Sequence, residues 1–453
     1  MPKRRLLVAD ESTVSVSQLT RQLQTPVGRS VGWLVGERVY GLFANALMAL
    51  ILIRGLGPSE FGVFSFAVAL TAIAGSVTQL SGPLMVQQLT IHPDRRPQLL
   101  ASAGAITAAL SALAVAALTV IVSLFGPDDS STLLVPVLAM GLALHPILVL
   151  DFEYQAELLA RRASLSRNAG LTVSVFALIA ASLSGAGLLW FALARLSGSV
   201  VTAALLYALR PHRERVPIQA ERTAIRSLAK KSFPLMVSAF AIGIYFKLDQ
   251  VMLGWMTTAA ETGRYAATAR LSELFHFLPM AFAASLGPKI AEIREADRER
   301  YTDVFGRVFC YLSAVAIGII VLTQLFGERL ALKALGSAYE GVGPILSVHI
   351  FATLFVFLGV GAALWTVNEN LERVFMYATV MGAIVNAALN YLLIPRFGGV
   401  GAAWATLTAY GVAAVGVNGL FKETRPLLAM QLRSLLPLRW IAAVKVDLGG
   451  PRE

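Results

Sequence analysis

An all-α, polytopic membrane fold of about twelve transmembrane helices in two six-helix lobes is what this sequence predicts, and three observations carry it. Of the 453 residues, 56% are hydrophobic and only 14% are charged, where a soluble domain carries about 25% charged residues. The apolar residues are gathered into successive segments of roughly 20 residues, the length a helix needs to cross ~30 Å of hydrocarbon. Lys and Arg in the connections alternate in abundance: 28 fall on one side of the segments and 5 on the other. That asymmetry is the bias of cytoplasmic loops.

Taken in order, the chain opens with a polar arm, 1–30, carrying Lys3, Arg4, Arg5, Arg21 and Arg29. Its one apolar piece, "LLVA", is too short for a signal-peptide core, so the arm is expected to be uncleaved and cytosolic. Spans are predicted at 32–53, 60–90, 98–125, 132–156, 163–184 and 187–209, then at 229–256, 262–290, 301–326, 342–367, 372–394 and 399–421. The second and eighth exceed what the bilayer requires and are expected to tilt or project. Pro83, Pro136, Pro146, Pro234, Pro279 and Pro344 lie inside spans, where membrane helices accept them as kinks. The basic tail, 423–453, contains "AMQLRSLLPLRWIAAVK", which mixes Arg, Lys, Leu and Trp440 as a segment lying on the inner surface would. Both termini are thus placed in the cytoplasm, and the net charge of +11 is explained by topology. Nucleic-acid binding is not indicated.

The predicted lobes, 31–210 and 229–422, meet at a basic loop, 211–228, and share one orientation. Short patterns recur between them. Glu60-Phe-Gly-Val-Phe-Ser65 matches Glu261-Thr-Gly-Arg-Tyr-Ala266 at an offset of 201, and Gly185-Ala-Gly-Leu-Leu-Trp190 matches Gly399-Val-Gly-Ala-Ala-Trp404 at 214. Gly82-Pro83 and Gly287-Pro288 form a weaker third pair. Parallel repeats about an axis along the membrane normal are a transporter architecture, with the substrate site between the halves.

The single cysteine, Cys310, excludes an internal disulfide framework and a cysteine-based metal cluster. No His/Glu spacing fits zinc, and no phosphate-binding P-loop sequence is present. Connections on the less basic side run to about 15 residues at most, the longest being 327–341. A membrane enzyme of polysaccharide assembly would need a larger catalytic loop there.

Five ionisable side chains fall at one depth inside spans. From the ~1.5 Å rise per helical residue, Lys247 and Asp249 lie ~10–15 Å below the outer boundary, Arg195 and Arg270 ~12 Å, and Glu273 ~16 Å. Intramembrane charges face a bundle interior or a water-filled cavity. Two readings stay open for this layer. In one the charges neutralise each other: Arg270 with Glu273 along one helix, Lys247 with Glu273 or Asp249 with Arg270 between helices. In the other they serve substrate passage, the cations Arg195, Lys247 and Arg270 facing an anionic group and the carboxylates Asp249 and Glu273 exchanging H⁺ or Na⁺. Arg38, about two turns into the first span beside Glu37, is a further cation placed to receive an anion from the inner side, or to snorkel at the interface. Asp151, Glu153 and Glu157 close the fourth span, as an interfacial helix end or part of an inner gate. His145 and His276 lie within spans as packing residues or proton carriers.

The stretches "RGLGPSEFGVFSFAVALTAIAGSVTQLSGPLMVQQL" (54–89), "DQVMLGWMTTAAETGRYAATARLSELFHFLPMAFAASLGPKIAEI" (249–293) and "PRFGGVGAAWATL" (395–407) resemble the O-antigen-type polysaccharide-biosynthesis flippases. These belong to the multidrug/oligosaccharidyl-lipid/polysaccharide exporter superfamily. The resemblance covers about 30–422. It implies movement of an undecaprenyl-pyrophosphate-linked oligosaccharide across the bacterial inner membrane, with membrane lipids and polysaccharide polymerase or assembly proteins as candidate partners and no cofactor beyond a coupling H⁺ or Na⁺. A cation-coupled drug exporter of the same superfamily is the alternative, for which an acidic, aromatic cavity is expected.

Overall fold

The computed structural model describes residues 26–210, 220–437 and Trp440. The expected arm as far as residue 25, loop residues 211–219, and tail residues 438–439 and 441–453 lie outside the described residues.

Every regular element among the described residues is helical. Ten helical stretches are long and apolar enough to cross a membrane. Two of them, Gly32–Ile91 and Glu372–Gly419, double back, each at a glycine with positive φ: Gly57 (φ 69°) and Gly398 (φ 53°). Neighbours show the reversal at Gly57. Tyr40 bonds Thr172 and a Cβ at Gly55 would touch Ser182, so 32–56 runs parallel to Ala160–Leu183. Gly62 faces Ala259 while Ser76 faces Gly243, so the continuation runs antiparallel to Arg222–Met256. In the second case Gly382 and Ala413 meet across the turn. Ten stretches therefore give twelve traverses, in the predicted order.

Boundaries differ where side chains find tertiary partners. The first helix begins at Pro26, before the predicted start at 32. The ninth span extends to Leu335, so most of the connection expected at 327–341 is helix. Its residues, "GERLALKAL", are good helix formers, and Ala331 and Leu335 are buried. The start of the expected tail is a helix, Arg425–Ser434, folded onto the bundle. Gln431 donates to Ala414 O at 2.9 Å and Ser313 and Ser434 share a hydrogen bond of 2.8 Å.

The kinks follow proline chemistry. Pro146 has no N–H to offer Leu142, four residues back, and the fourth span turns 3₁₀ over Met140–Leu144. Pro279 stands likewise to Phe275, inside the 3₁₀ turn Leu274–His276 of the eighth span. Pro234 stays within a continuous helix. The long predicted second span breaks at residues 79–81 and resumes as Gly82–Ile91 with Pro83 in its first turn.

At the end of the bundle carrying the basic loops, ion pairs tie connections together. Arg96 meets Glu157 at 2.8 Å. Arg298 and Arg294 meet Glu369 at 2.7 and 3.3 Å. Each glutamate precedes a residue with positive φ, Leu158 (56°) and Asn370 (57°), the two such non-glycine residues among those described. A third pair, Arg210–Glu153 at 2.7 Å, is buried, with both side chains 3% exposed. Asp151 pairs with Arg167. All three acids at the end of the fourth span are thus engaged with arginines.

Two outcomes are expected. Removing one member of the buried pair leaves a charge without partner or water, so Glu153→Gln should cost about 3–5 kcal/mol and lower the melting temperature in detergent. The double change Glu153→Met with Arg210→Met should recover much of that loss. Burial raises the Glu369 carboxyl, but hydrogen bonds from Arg298 and Arg294 outweigh it and hold the group below the usual carboxylate range. Its contribution is therefore complete above the unfolded value, about pH 4.3, and is lost as pH falls through the lower folded value. Melting curves should show Glu369→Gln less stable than the parent at neutral pH, with the gap closing as pH drops below about 4.

Candidate functional site

The seventh span, Arg222–Met256, is the seam between the halves of the sequence. Its basic half packs Ala224 and Leu228 against Leu80, Leu89, Leu99 and Ala103 of the first half. Its other half packs against the second, eighth, eleventh and twelfth spans. Tyr245 touches Gly382 and Phe66 touches Gly254. A helix gripped on several sides presents residues two apart to different neighbours, and Lys247 and Asp249 meet different surroundings.

Asp249 is buried and accepts a hydrogen bond from the Tyr265 hydroxyl of the eighth span. Tyr265 Oη also lies 3.1 Å from Thr406 Oγ1 of the twelfth. The cross-helix partner of Asp249 is thus a tyrosine, and the Asp249–Arg270 pair does not form. Spans seven and eleven run in the same direction with Tyr245 against Gly382, so one turn further on Asp249 comes level with Asn386. Asn386 and Asn390 are both buried and bonded to each other at 2.9 Å, and Asn390 Oδ1 has no partner. Tyr265, Asn386, Asn390 and Thr406 were not among the expected site residues. The two asparagines, four apart in an apolar helix, were the available signal.

Lys247 has no hydrogen bond and no ion pair among the described residues, so its expected pair with Glu273 is not made. It stays within electrostatic reach of both Asp249 and Glu273. Glu273 takes Arg270 at 3.8 Å, a long i,i+3 contact with Arg270 45% exposed. His276 and His349 are also within its electrostatic reach. His349 is buried and shares a 2.7 Å hydrogen bond with Ser272. Arg195 of the sixth span has no partner for its guanidinium among the described residues, and feels the like charge of Arg270. Tyr245, Phe246 and Tyr410 form an aromatic wall beside Lys247, the tyrosine rings 5.2 Å apart. The structure therefore brings Arg195, Lys247, Asp249, Arg270 and Glu273 together in one layer.

Arg38 lies elsewhere, exposed near the basic end of the first span. Its neighbour Glu37 is held by Arg167, Nε–Oε1 2.5 Å and Nη2–Oε2 2.6 Å, and by Ser164 at 2.6 Å. Arg167 also reaches Asp151. Asp151 and Arg167 line a separate cavity of about 240 Å³ with Gln79, Thr107, His145 and Thr202. His145 Nδ1 is hydrogen-bonded to Thr78 at 2.5 Å. No group of three metal-ligating side chains occurs among the described residues.

A twelve-traverse helical bundle enclosing a charged layer between its halves defines a polytopic membrane protein with the fold of lipid-linked-sugar and multidrug transporters. The chain aligns over 93% of its length with a lipid II flippase MurJ structure in an inward closed conformation, which is itself 93% covered, at TM-score 0.67 and 13% identity. An inward-facing multidrug resistance MATE family transporter of the MOP superfamily aligns at TM-score 0.56 and 16% identity, covering 90% of this chain and 96% of that one. The sequence matches the family described as polysaccharide biosynthesis protein over residues 27–294, more than half its length, and the chain belongs to that family. It is 28% identical over 190 residues to the probable flippase AglR of Haloferax volcanii, 40% of this chain and 39% of that protein. It is 23% identical over 193 residues to the probable low-salt glycan biosynthesis flippase Agl15 of the same organism, 42% and 40% respectively. The matched region spans about two-fifths of each curated relative's length.

Proposed function

We propose that this protein is a flippase that carries an undecaprenyl-pyrophosphate-linked oligosaccharide repeat unit across the bacterial inner membrane, for surface polysaccharide synthesis. Both termini and the basic loops face the cytoplasm. The observation that carries the reading is the excess of cations at mid-depth, Arg195, Lys247 and Arg270 against Asp249 and Glu273. Arg195 and Lys247 have no bonded partner among the described residues, and Arg270 holds Glu273 only at 3.8 Å. Asp249 makes its hydrogen bonds to Tyr265 and the Gln250 N–H and forms no ion pair with these cations. A pyrophosphate head needs such cations in a low-dielectric slab. Arg offers a fork to two phosphate oxygens and Lys a mobile point charge.

The lipid tail stays in the bilayer. Span seven closes one side of the layer by packing its basic half on the first half of the sequence. On the other side no hydrogen bond or ion pair among the described residues joins 32–53 to Phe277–Ala296, and the tail passes there. Arg38 stands on that side as the first cation the head meets. Rocking of 31–210 against 229–422 switches the opening. The ion pairs at Glu157 and Glu369 and the positive φ at Leu158 and Asn370, each 212 residues apart, support the parallel repeat that such rocking uses. Asp249 and Glu273 are the coupling sites for H⁺ or Na⁺. The hydroxyl of Thr406, joined to Asp249 through Tyr265, is an oxygen ligand of the kind a hard cation takes.

A second reading, export of organic cations coupled to an ion, draws on the wall of Tyr245, Phe246 and Tyr410 and on the nearby carboxylates. Cationic dyes would then compete with lipid-linked sugar for the layer.

In vesicles holding the purified protein, Arg195→Ala and Lys247→Ala should each lower translocation of a pyrophosphate-linked oligosaccharide about 10- to 100-fold, the loss of one charge-assisted contact, at unchanged protein level. Full activity in both folded variants would remove the cation layer from the mechanism. Asp249→Asn should abolish the dependence of translocation on a pH or Na⁺ gradient; an unaltered dependence would exclude it as a coupling site.

A further inference from the structure

At the end of the bundle away from the basic loops the two halves of the sequence touch, and the contacts come in reciprocal pairs. A Cβ at position 62 would lie 1.7 Å from the carbonyl oxygen of Ala259, and one at position 263 would lie 1.9 Å from that of Pro58. The second and eighth spans cross here at a distance only glycine backbones permit. Each glycine lies four residues after the carbonyl that its partner meets, and both glycine and carbonyl recur at an offset of 201.

The same offset governs a second pair. Arg54, ending the first span, donates from Nε to Ala334 O at 2.7 Å and from Nη2 to Lys333 O at 2.9 Å. Trp255, ending the seventh span 201 residues later, donates from Nε1 to Phe125 O at 2.9 Å. Both donors land on the last turn of a helix from the opposite half, Arg298–Leu335 or Arg96–Phe125. Carbonyls there have no intrahelical partner, and the guanidinium also meets the negative end of the helix dipole. Both donors are exposed. Water can therefore replace each bond when it breaks, as suits a contact made and broken repeatedly and not a fixed core contact.

We propose that 54–62 and 255–263 form a two-fold gate at the outer mouth, in which Gly62 and Gly263 set the closing distance and Arg54 and Trp255 are its two hooks. The proposal rests on the transport reading above and assigns it the element that shuts the outer side. Each half contributes one hook and one receiving helix end, so one rocking movement releases both. The hooks are unequal. Arg54 makes two charge-assisted bonds and Trp255 one neutral bond, so Arg54 holds the larger share of the closing energy.

The test is labelling of the full-length protein in sealed, oriented vesicles. The background carries Cys310→Ala, with Arg270→Cys as a reporter in the charged layer and a membrane-impermeant maleimide added on the outer side. The parent should label slowly. Gly62→Leu or Gly263→Leu should raise the outer labelling rate by about tenfold or more, equivalent to ~1.4 kcal/mol of lost closure. Arg54→Gln should raise it more than Trp255→Phe, which keeps the ring on Phe66. Should the glycine variants fail to fold, Arg54→Cys with Ala334→Cys joined by a short bifunctional reagent should suppress outer labelling and leave labelling from the inner side intact. Outer labelling that responds neither to the hook variants nor to the cross-link, in protein with a normal melting transition, would overturn the gate. Labelling needs no cargo, so it separates the two ideas. A chain that gates as described yet moves no lipid-linked oligosaccharide would refute the cargo and leave the gate standing.

Discussion

The hydrogen bonds linking Asp249, Tyr265 and Thr406 fix the level at which everything else in the charged layer stands. They join the seventh, eighth and twelfth spans inside an apolar bundle, where an unmet carboxylate would be costly. Asp249 spends its hydrogen bonds on a neutral hydroxyl and the backbone, and so makes no direct ion pair with a neighbouring cation. Lys247, two residues away and on another face, is left without a bonded partner. A carboxylate paired with Arg270 would have given a closed, self-compensated clamp. A tyrosine in that place gives a rigid joint and a positive surface beside it.

Much of this was legible from the sequence because the governing rules are one-dimensional. Span length follows from bilayer thickness, and depth from rise per residue. Lys247, Asp249, Arg270, Glu273 and Arg195 therefore fall at one level by helix rise alone. The reversals at Gly57 and Gly398 came from the backbone, where both glycines take positive φ. Which face a residue presents, and to whom, depends on packing that no ruler along one helix supplies. Arg38 shared an approach to the layer on paper, yet Glu37 beside it turns to Arg167 of the fifth span and Arg38 stays apart. Tyr265 and Thr406 read as ordinary packing residues until three helices converge. Asp151, Glu153 and Glu157 looked like one charged helix end, and each found a different arginine.

Positions 212 residues apart in the two halves of the sequence agree in some contacts and differ in others. The turns at Glu157-Leu158 and Glu369-Asn370 keep both the ion pair and the positive φ. A mid-span histidine bonded to a hydroxyl also occurs in each, His145 with Thr78 and His349 with Ser272. Chemistry differs one turn from those loops. Glu153 is buried against Arg210, whereas Trp365, 212 residues on, stacks on Tyr301 at 5.1 Å. An aromatic stack holds a helix end without burying charge. The first half instead keeps a charged interior, with Asp151 and Arg167 lining their own cavity and Glu37 paired to Arg167.

That difference bears on how a rocking bundle would divide its labour. A rigid body must resist deformation at its basic end while its other end opens, and both halves meet that need through cross-loop pairs at the same offset. The working asymmetry lies deeper, in the layer to which the second half gives Lys247, Arg270, Asp249 and Glu273 and the first gives Arg195. Two like charges from opposite halves, Arg195 and Arg270, face each other across it. An anion between them would relieve their repulsion and draw the halves together, and its departure would restore the force that parts them. Cargo charge would then act on the equilibrium of the bundle through the same two side chains proposed to bind it.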